Sequence, residues 1–419
     1  MHRRHFLTGL ALLPASTIAR LQKPSARPDD EGYWKDVRSH FFLPDDIAYL
    51  NNGTLGVSPR PVVDAVYRHM LETESVATRK FGDYPWWGYG ASLDIRTRLG
   101  TFVGAEASEI ALTRNATEGM STVAFGLDLK RDDAVLLSDE EHPGGRSAWY
   151  QRASRDGIEV RTFQLPRPAT STGEILERVE RAITPRTRVI SVSHITTMTG
   201  AILPVGEISR MARSKGILSL VDGAHAIGQI PLDLRQIGCD YYAASPHKWL
   251  YAPKGTGLLY CREGMAERLW CHTASGTWDQ KKLGAERLTN VGTSNLSLLI
   301  GLLASIDFHE AIGSQLVYSR LQYLVGEVRR RMVAAFPKVE LLNGPPPVFS
   351  SGMCKLGFSI DKMSPVAGKL WKEQRIWLQA GDPDPALKLP SAVRVSCPIY
   401  VRLEDIDRLI DALKKEKVS

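Results

Sequence analysis

The sequence predicts an α/β protein with a mostly parallel sheet sandwiched by helices and a smaller α+β domain after it. Three observations carry this prediction. Between about residues 47 and 261, short apolar runs bounded by turn residues alternate with stretches of helical periodicity. Such alternation is typical of parallel sheets, whose strands are joined by helical crossovers. After residue 293 the pattern changes to longer helices and a short mixed tail. The predicted strands are residues 110–113, 134–138, 158–165, 188–192, 217–221, 241–244 and 257–260.

The chain has 419 residues, of which 43% are hydrophobic, and is long enough for two cores. We predict a signal and linker at 1–30, a large ligand-binding domain at 31–295 and a small C-terminal domain at 296–419. Helical periodicity in the large domain is clearest at 174–183 and 205–214. In the small domain it is clearest at 296–308, 316–336 and 403–415.

The N-terminal segment resembles an export signal. Arg3 and Arg4 precede a short apolar stretch at 7–15, an arrangement typical of twin-arginine signals. We therefore expect a protein that is exported folded and is periplasmic or secreted. The alternative is a basic terminus with no targeting role. The stretch is well short of the ~20 apolar residues that span a bilayer, and we expect no membrane span.

Charge and spacing exclude several classes of function. The formal net charge is +7, and there is no long basic run, so nucleic acid is not expected as a partner. No histidine pair has the spacing of HExxH and no cysteine pair forms CxxC, so no metal site is expected. The five cysteines are scattered, and we expect them to be small buried residues without a function.

Reactive side chains follow two predicted strands. Ligands of open parallel sheets bind beyond the C-terminal strand ends. Asp222 ends one apolar run, where a carboxylate is costly to desolvate unless it meets a cation. Lys248 follows another strand and comes just after Ser245 and His247. An amine that is desolvated near another cation loses basicity and can act as a nucleophile toward an aldehyde. Taken singly, Asp222 would be a cap or loop residue and Lys248 a surface residue.

A third strand leads into a candidate anion site. Residues 115–119 follow the strand at 110–113 and open a helix, where free N–H groups and the Thr117 hydroxyl would bind phosphate. Simple capping by Thr117 is the alternative. His142 and His225 also lie near strand ends. Together these features match pyridoxal phosphate: Lys248 would form the Schiff base and Asp222 would keep the pyridine nitrogen protonated.

On these motifs the sequence resembles the class V aminotransferases, a family of fold-type I pyridoxal-phosphate enzymes, and especially their isopenicillin N epimerase-like branch. The resemblance runs from Tyr49 to Arg394. It implies a homodimer, in which Thr293 reaches the neighbouring subunit's phosphate. The other residues implied to bind the phosphate are Ala116, Thr117, Glu118, Ser245 and His247.

The resemblance also implies roles around the cofactor ring and the substrate. His142 would stack on the ring, Asp222 would contact its nitrogen, and His225 would contact its oxygen. Thr197 stands where many relatives carry an asparagine for that oxygen. The implied substrate contacts are Arg394, which would bind the α-carboxylate, Asn52 and an aromatic loop at 84–87. The alternative role for that loop is to form part of the dimer interface.

The expected activity is chemistry at the α-carbon of an amino acid or peptide-like amine, of the epimerase or transaminase type. Related desulfurases carry a nucleophilic cysteine in the loop that corresponds to 379–385, and this chain has none there. Persulfide-forming desulfuration is therefore disfavoured. The alternatives are a C–S lyase, a tailoring enzyme for secreted peptides such as siderophores, and a non-catalytic ligand-binding protein on the same fold.

Overall fold

The computed structural model describes residues 13–74 and 89–418. Its strands are β1 (Ala48–Tyr49), β2 (Ile110–Thr113), β3 (Ala134–Ser138), β4 (Glu159–Phe163), β5 (Thr187–Ser193), β6 (Leu218–Asp222), β7 (Tyr241–Ala244), β8 (Gly257–Cys261), β9 (Glu340–Leu341), β10 (Met353–Phe358), β11 (Ile376–Trp377), β12 (Gln379–Gly381) and β13 (Ser391–Ser396). Its α-helices are α1 (Ala15–Leu21), α2 (Glu31–Ser39), α3 (Arg60–Glu74), α4 (Tyr89–Val103), α5 (Ala116–Gly126), α6 (Pro143–Asp156), α7 (Thr172–Ala182), α8 (Val205–Ser214), α9 (Leu234–Ile237), α10 (Leu296–Ile312), α11 (Ser314–Ala335), α12 (Ser364–Gln374) and α13 (Leu403–Lys415).

The central sheet has seven strands in the order β2-β8-β7-β6-β5-β3-β4. The pairs β4-β3, β3-β5, β5-β6 and β6-β7 are parallel, and β8 runs antiparallel to both of its neighbours. All seven predicted strands are present, with ends shifted by a residue or two. The predicted fold class is confirmed.

Strand side chains alternate between two cores, because successive side chains of a strand point to opposite faces. In β3, Val135 and Leu137 pack with Met120 of α5 and Trp149 of α6, whereas Leu136 packs on the other face with the core under α7 and α8. With both faces covered, strands such as β3, β7 and β8 are buried along their whole length. Polar groups therefore come together at the ends of the strands.

A second, antiparallel sheet in the order β12-β13-β10-β9 follows α10 and α11. The chain before the large sheet is tied to this region, because β1 pairs with β11 and the buried Arg320 binds the Glu31 carboxylate. None of the described helices is by itself long and apolar enough to cross a membrane. Only α10 and α11 taken together would meet that test, and they are bent by 78° at their junction.

Part of the predicted signal and linker is packed in the structure. Leu13 and Leu21 are buried in the same core as α10, and the Tyr33 hydroxyl donates to the Leu21 carbonyl over 2.7 Å. The short helix α1 therefore packs against the folded body. Arg3 and Arg4 lie outside the described residues.

Candidate active site

The ends of β6 and β7 bring the buried Asp222 and the half-buried Lys248 into one site. Asp222 is the last residue of β6 and is in register with Ala243 of β7, whose chain continues directly to Ser245 and Lys248. The Lys248 ammonium is among the charges that lower the pKa of Asp222, and Asp222 in turn raises that of Lys248. The two groups that the sequence predicts to work together are thus electrostatic partners.

Burial is the dominant influence on both groups. Desolvation lowers the pKa of Lys248 to about 8, with Asp222 opposing this shift and Arg394 adding to it. Desolvation also raises the pKa of Asp222, opposed by the backbone N–H of Ala224 at 3.0 Å and by Lys248. The amine therefore has a substantial neutral, nucleophilic fraction near neutral pH.

His225 contacts the reactive amine, and its tautomer is set by Trp249. The indole N–H, which is only a donor, donates to His225 Nδ1 over 3.3 Å. Burial, and then the Lys248 charge, hold the pKa of His225 well below its usual range. The imidazole is therefore neutral with its proton on Nε2, which lies 3.1 Å from Lys248 Nζ. The neutral form of the amine, which the lowered pKa makes accessible, can accept from this N–H.

We expect Trp249→Phe to lower kcat/KM about threefold to tenfold, because one net hydrogen bond of ~1 kcal/mol that selects the tautomer is lost. Steady-state kinetics over a range of pH checks this. In a His225→Gln background the same substitution should have little further effect, since a side-chain amide has no tautomer to select. Equal losses in both backgrounds would make Trp249 a packing residue only.

The helix start that is predicted to bind phosphate has a defined cap. Asn115 Oδ1, not Thr117, accepts from the Glu118 N–H over 2.9 Å, and Ser245 Oγ accepts from the Ala116 N–H over 2.9 Å. Thr117 is exposed, and no acceptor for its N–H is recorded in the described part of the chain. Capping by Thr117 is therefore wrong, and Thr117 is left open toward an anion.

Glu118 does not offer a group to phosphate. Its N–H is taken by Asn115, and its carboxylate binds the Arg114 backbone N–H and guanidinium. The predicted role of Glu118 as a phosphate ligand does not fit these contacts. Its observed role is to hold the first turn of α5.

The two histidines predicted beside the cofactor lie at the rim. His142 caps α6, with its Nδ1 accepting from the Gly144 N–H over 2.9 Å, and its ring is exposed. His247 Nδ1 lies 3.3 Å from the Thr256 carbonyl and donates to it, so His247 Nε2 is turned to other partners. Burial lowers the pKa of both rings. Both remain candidates for the predicted stacking and phosphate roles.

Arg394, in β13, is held as a preformed cation. Its Nη1 donates to the Thr197 carbonyl over 2.7 Å and to the Thr197 hydroxyl, and its Nη2 donates to Asn51 and Thr54. The observed contact of Thr197 is therefore with this arginine. Arg394 Nε is buried without a hydrogen-bond partner among the described residues. Such a cation, short of partners, suits a carboxylate ligand.

Asn52 is wrong as a substrate contact. It is fully buried, with Nδ2 donating to the Lys248 carbonyl over 3.2 Å and Oδ1 accepting from the Tyr400 hydroxyl over 2.8 Å. Both polar atoms of the Asn52 side chain already have hydrogen-bond partners, so Asn52 positions the Lys248 backbone instead. Gly56 has a related function, because a Cβ there would overlap the Lys248 carbonyl oxygen. Its neighbour Asn51 is the residue that reaches Arg394.

Of two further predicted contacts, Thr293 lies at the surface and the aromatic loop lies outside the described residues. Thr293 is exposed and lines a surface cavity of about 630 Å³ together with Glu118 and Gly255. It does not share that cavity with Lys248 or Asp222. The aromatic loop at 84–87 lies outside the described residues.

Sequence reasoning missed Glu141, which directly precedes His142. It is buried and accepts from the Ser193 N–H over 3.1 Å and the Ser193 hydroxyl over 2.6 Å. Burial raises its pKa to about 7, with the Asp222 charge adding to the shift. Glu141 thus ties the loop after β3 to the end of β5. The signal for it is a run of three acids, residues 139–141, directly after the buried strand β3.

The residues present fit pyridoxal phosphate. Open groups of the right kind occur together: the Thr117 N–H and hydroxyl, the Lys248 amine and the buried Asp222 carboxylate. Space is kept open as well, because a Cβ on Gly145 would lie 2.8 Å from Asp222 Oδ2. No group of three or more His, Cys, Asp or Glu side chains in the described residues is arranged to hold a metal ion.

The comparison with protein families decides the assignment. The family model for aminotransferase class-V matches residues 48–409. The chain belongs to the class-V aminotransferases. Among curated proteins, this class-V aminotransferase is similar to isopenicillin N epimerase of Streptomyces clavuligerus, at 33% identity over 91% of this chain and 97% of that one. It is also similar to a cysteine desulfurase of Haloferax volcanii, at 27% identity over 88% of each chain.

Solved structures agree. A C-DES mutant with glycine covalently linked to its PLP cofactor matches with a TM-score of 0.76 at 26% identity, covering 90% of this chain and 98% of that one. C-DES is described elsewhere as a cystine C–S lyase, in complex with cysteine persulfide. The Escherichia coli cysteine desulfurase CsdA, at 22% identity and a TM-score of 0.77, shares the fold. This class-V aminotransferase is accordingly a pyridoxal-phosphate-dependent enzyme.

Proposed function

We propose that the enzyme moves a proton at the α-carbon of an amino acid or peptide-like amine, as an epimerase or transaminase does. The observation that carries the proposal is the Lys248 amine, whose pKa is lowered to about 8 and whose Nζ lies 3.1 Å from His225 Nε2. An amine with a pKa near the working pH is suited both to take up and to return a proton. The relatives with isopenicillin N epimerase activity support the same class of reaction.

Each residue of the site has a role in the proposed reaction that follows from its position. Pyridoxal phosphate, when bound, supplies the electron sink that stabilises negative charge at the substrate α-carbon. Arg394 binds the α-carboxylate and so orients the α-carbon, while Lys248 Nζ carries the proton. Asp222 holds negative charge at the end of β6, where it favours a protonated ring nitrogen. Thr117, Ser245 and His247 hold the phosphate.

The cysteines argue against persulfide formation on this chain. All five are free, and all but the partly exposed Cys271 are buried. Burial raises the pKa of the Cys354 thiol to about 12 and those of Cys239, Cys261 and Cys397 further still. A thiol in that state is not the thiolate that attacks sulfur. Lysis of a substrate C–S bond without a protein thiol is the second candidate, supported by the likeness to C-DES.

Incubation of the holoenzyme with candidate amino acids in heavy water separates these reactions. For epimerisation we expect both enantiomers with deuterium at the α-carbon and the amino group retained. For transamination we expect the α-keto acid as product, with deuterium at the α-carbon only of the amino acid that is recovered. Mass spectrometry and chiral chromatography check the products. Release of sulfide or persulfide from cystine without α-deuterated amino acid would overturn the proposal in favour of the lyase.

We also propose that the enzyme is a homodimer and is exported by the twin-arginine pathway. Exposed apolar side chains support the dimer: Trp270 is 64% exposed and stacks on Trp278, and Val291, which lines the same cavity as Thr293, is also exposed. Arg3 and Arg4 support export. Sedimentation equilibrium tests the first, and fractionation of cells expressing Arg3→Lys, Arg4→Lys protein tests the second. A monomeric holoenzyme, or unchanged export of the variant, would contradict them.

A further inference from the structure

A small cavity next to Arg394 has no role in the chemistry described so far. Its volume is about 200 Å³, and its floor is one face of the antiparallel sheet. Gln379, Arg394 and Lys355 lie directly opposite one another on neighbouring strands β12, β13 and β10, so their side chains share this face. Two residues further along, Gly381 and Ala392 lie opposite each other and leave space above the sheet.

Lys355 is the unusual member of this row. It is only 8% exposed, it lines the cavity, and no hydrogen bond or ion pair of its ammonium is recorded among the described residues. Desolvation lowers its pKa. The Glu140 charge opposes this shift, and the Arg394 charge adds to it. A buried ammonium beside a second buried cation is costly unless an anion joins them.

The acids near Lys355 are engaged elsewhere. Glu140 accepts from Arg167 and Thr199, and neither it nor any other described carboxylate lies within ion-pair distance of Lys355. Asp382 and Asp384 line the cavity, but each accepts from backbone N–H groups: Asp382 from Ser364 at the start of α12, and Asp384 from its own loop. Asp382 is exposed and Asp384 half-buried, whereas Arg394 is 3% exposed. The deep part of the cavity is therefore cationic and its rim acidic.

We propose that this cavity binds a second carboxylate, carried by the side chain of the substrate, through Lys355 and Gln379. The inference rests on the proposed function, in which Arg394 takes the α-carboxylate. Side chains directly opposite on neighbouring strands have Cβ atoms about 5 Å apart. A substrate whose two carboxylates are separated by a few methylene groups spans that interval. The substrate class is then a dicarboxylic amino acid or a peptide-like amine with a terminal carboxylate.

The test compares L-glutamate with L-glutamine, which differ only in the charge of the distal group. Calorimetric titration of the wild-type holoenzyme should show about tenfold tighter binding of glutamate, the scale of one charge-assisted hydrogen bond. Lys355→Met should abolish that preference and leave glutamine binding unchanged. Lys355→Arg should retain it. The exposed Lys362, outside the cavity, provides the matched control Lys362→Met, which should bind both ligands like the wild type.

Three results would overturn the cavity proposal. These are no glutamate preference in the wild type, a preference that survives in Lys355→Met, and a loss of glutamine binding equal to that of glutamate, which would assign Lys355 to the α-carboxylate or to folding. Binding needs no turnover, so the cavity proposal stands or falls separately from the α-carbon chemistry. Conversely, α-deuteration of monocarboxylic amino acids without a glutamate preference would overturn the cavity proposal alone.

Discussion

Replacing Lys248 with alanine is expected to reduce turnover by at least about 10³-fold, because one side chain supplies both the covalent attachment and the proton transfer. The variant should still take up pyridoxal phosphate, since Asp222, Ser245 and Thr117 remain. Borohydride should no longer fix the cofactor to the chain, which intact-mass spectrometry detects. In the cofactor-free wild type, the rate at which added pyridoxal phosphate becomes attached to the chain should rise with pH through about 8, where the Lys248 amine loses its proton.

The nearby Lys254 gives the matched control. Burial lowers its pKa also, yet it lies beyond Ala252 and Pro253 and has no recorded contact with His225 or Asp222 among the described residues. Lys254→Ala should keep its activity and its borohydride-fixed cofactor on Lys248. Full activity of Lys248→Ala, or fixation that persists in that variant, would contradict the assignment.

The parts of the site that the sequence predicts well are those set by strand periodicity. A short apolar run such as 217–221, bounded by turn residues, is typical of a buried strand, so the polar residue after it, Asp222, is expected at the C-terminal end of that strand. The same reasoning applies to Lys248 after β7 and to the turn after β2. Neighbouring parallel strands end at one edge, which is why these separate motifs meet.

The parts that it predicts poorly depend on contacts between segments distant in sequence. Asn51 and Asn52 are neighbours, and the orientation of the backbone before Gly56 decides which of them faces Arg394. This segment lies about 340 residues from β13 in the sequence. Likewise, the pairing of Lys355 with Arg394 is a matter of strand register in the second sheet. Local propensity carries no information on such register, which packing alone determines.

Replacing Asp222 with asparagine is expected to lower kcat about 10²–10⁴-fold, the range for loss of a positioned acid or base, with a smaller change in KM. Asparagine keeps the shape and can still accept from the Ala224 N–H, so the change removes only the negative charge. Steady-state kinetics checks this, with Asp240→Asn as the control. Asp240 is also a buried sheet carboxylate, but its partners are Ser219 and Arg262, away from Lys248. Equal loss of kcat in both variants would reduce Asp222 to a structural residue.

Stability measurements separate the functional role of this carboxylate from a structural one. Burial raises the pKa of Asp222 above its ordinary value of 3.8, so the folded state disfavours its ionised form. That cost is absent at lower pH, develops as pH rises past 3.8 and is complete above the raised pKa. The cofactor-free Asp222→Asn protein should therefore match the wild type at acid pH and have a higher Tm at neutral pH. With pyridoxal phosphate bound, the carboxylate gains a cationic partner and the order should reverse, because a ligand stabilises the state that binds it better. A Tm that is lower for Asp222→Asn in both forms would instead make this residue a support of the fold.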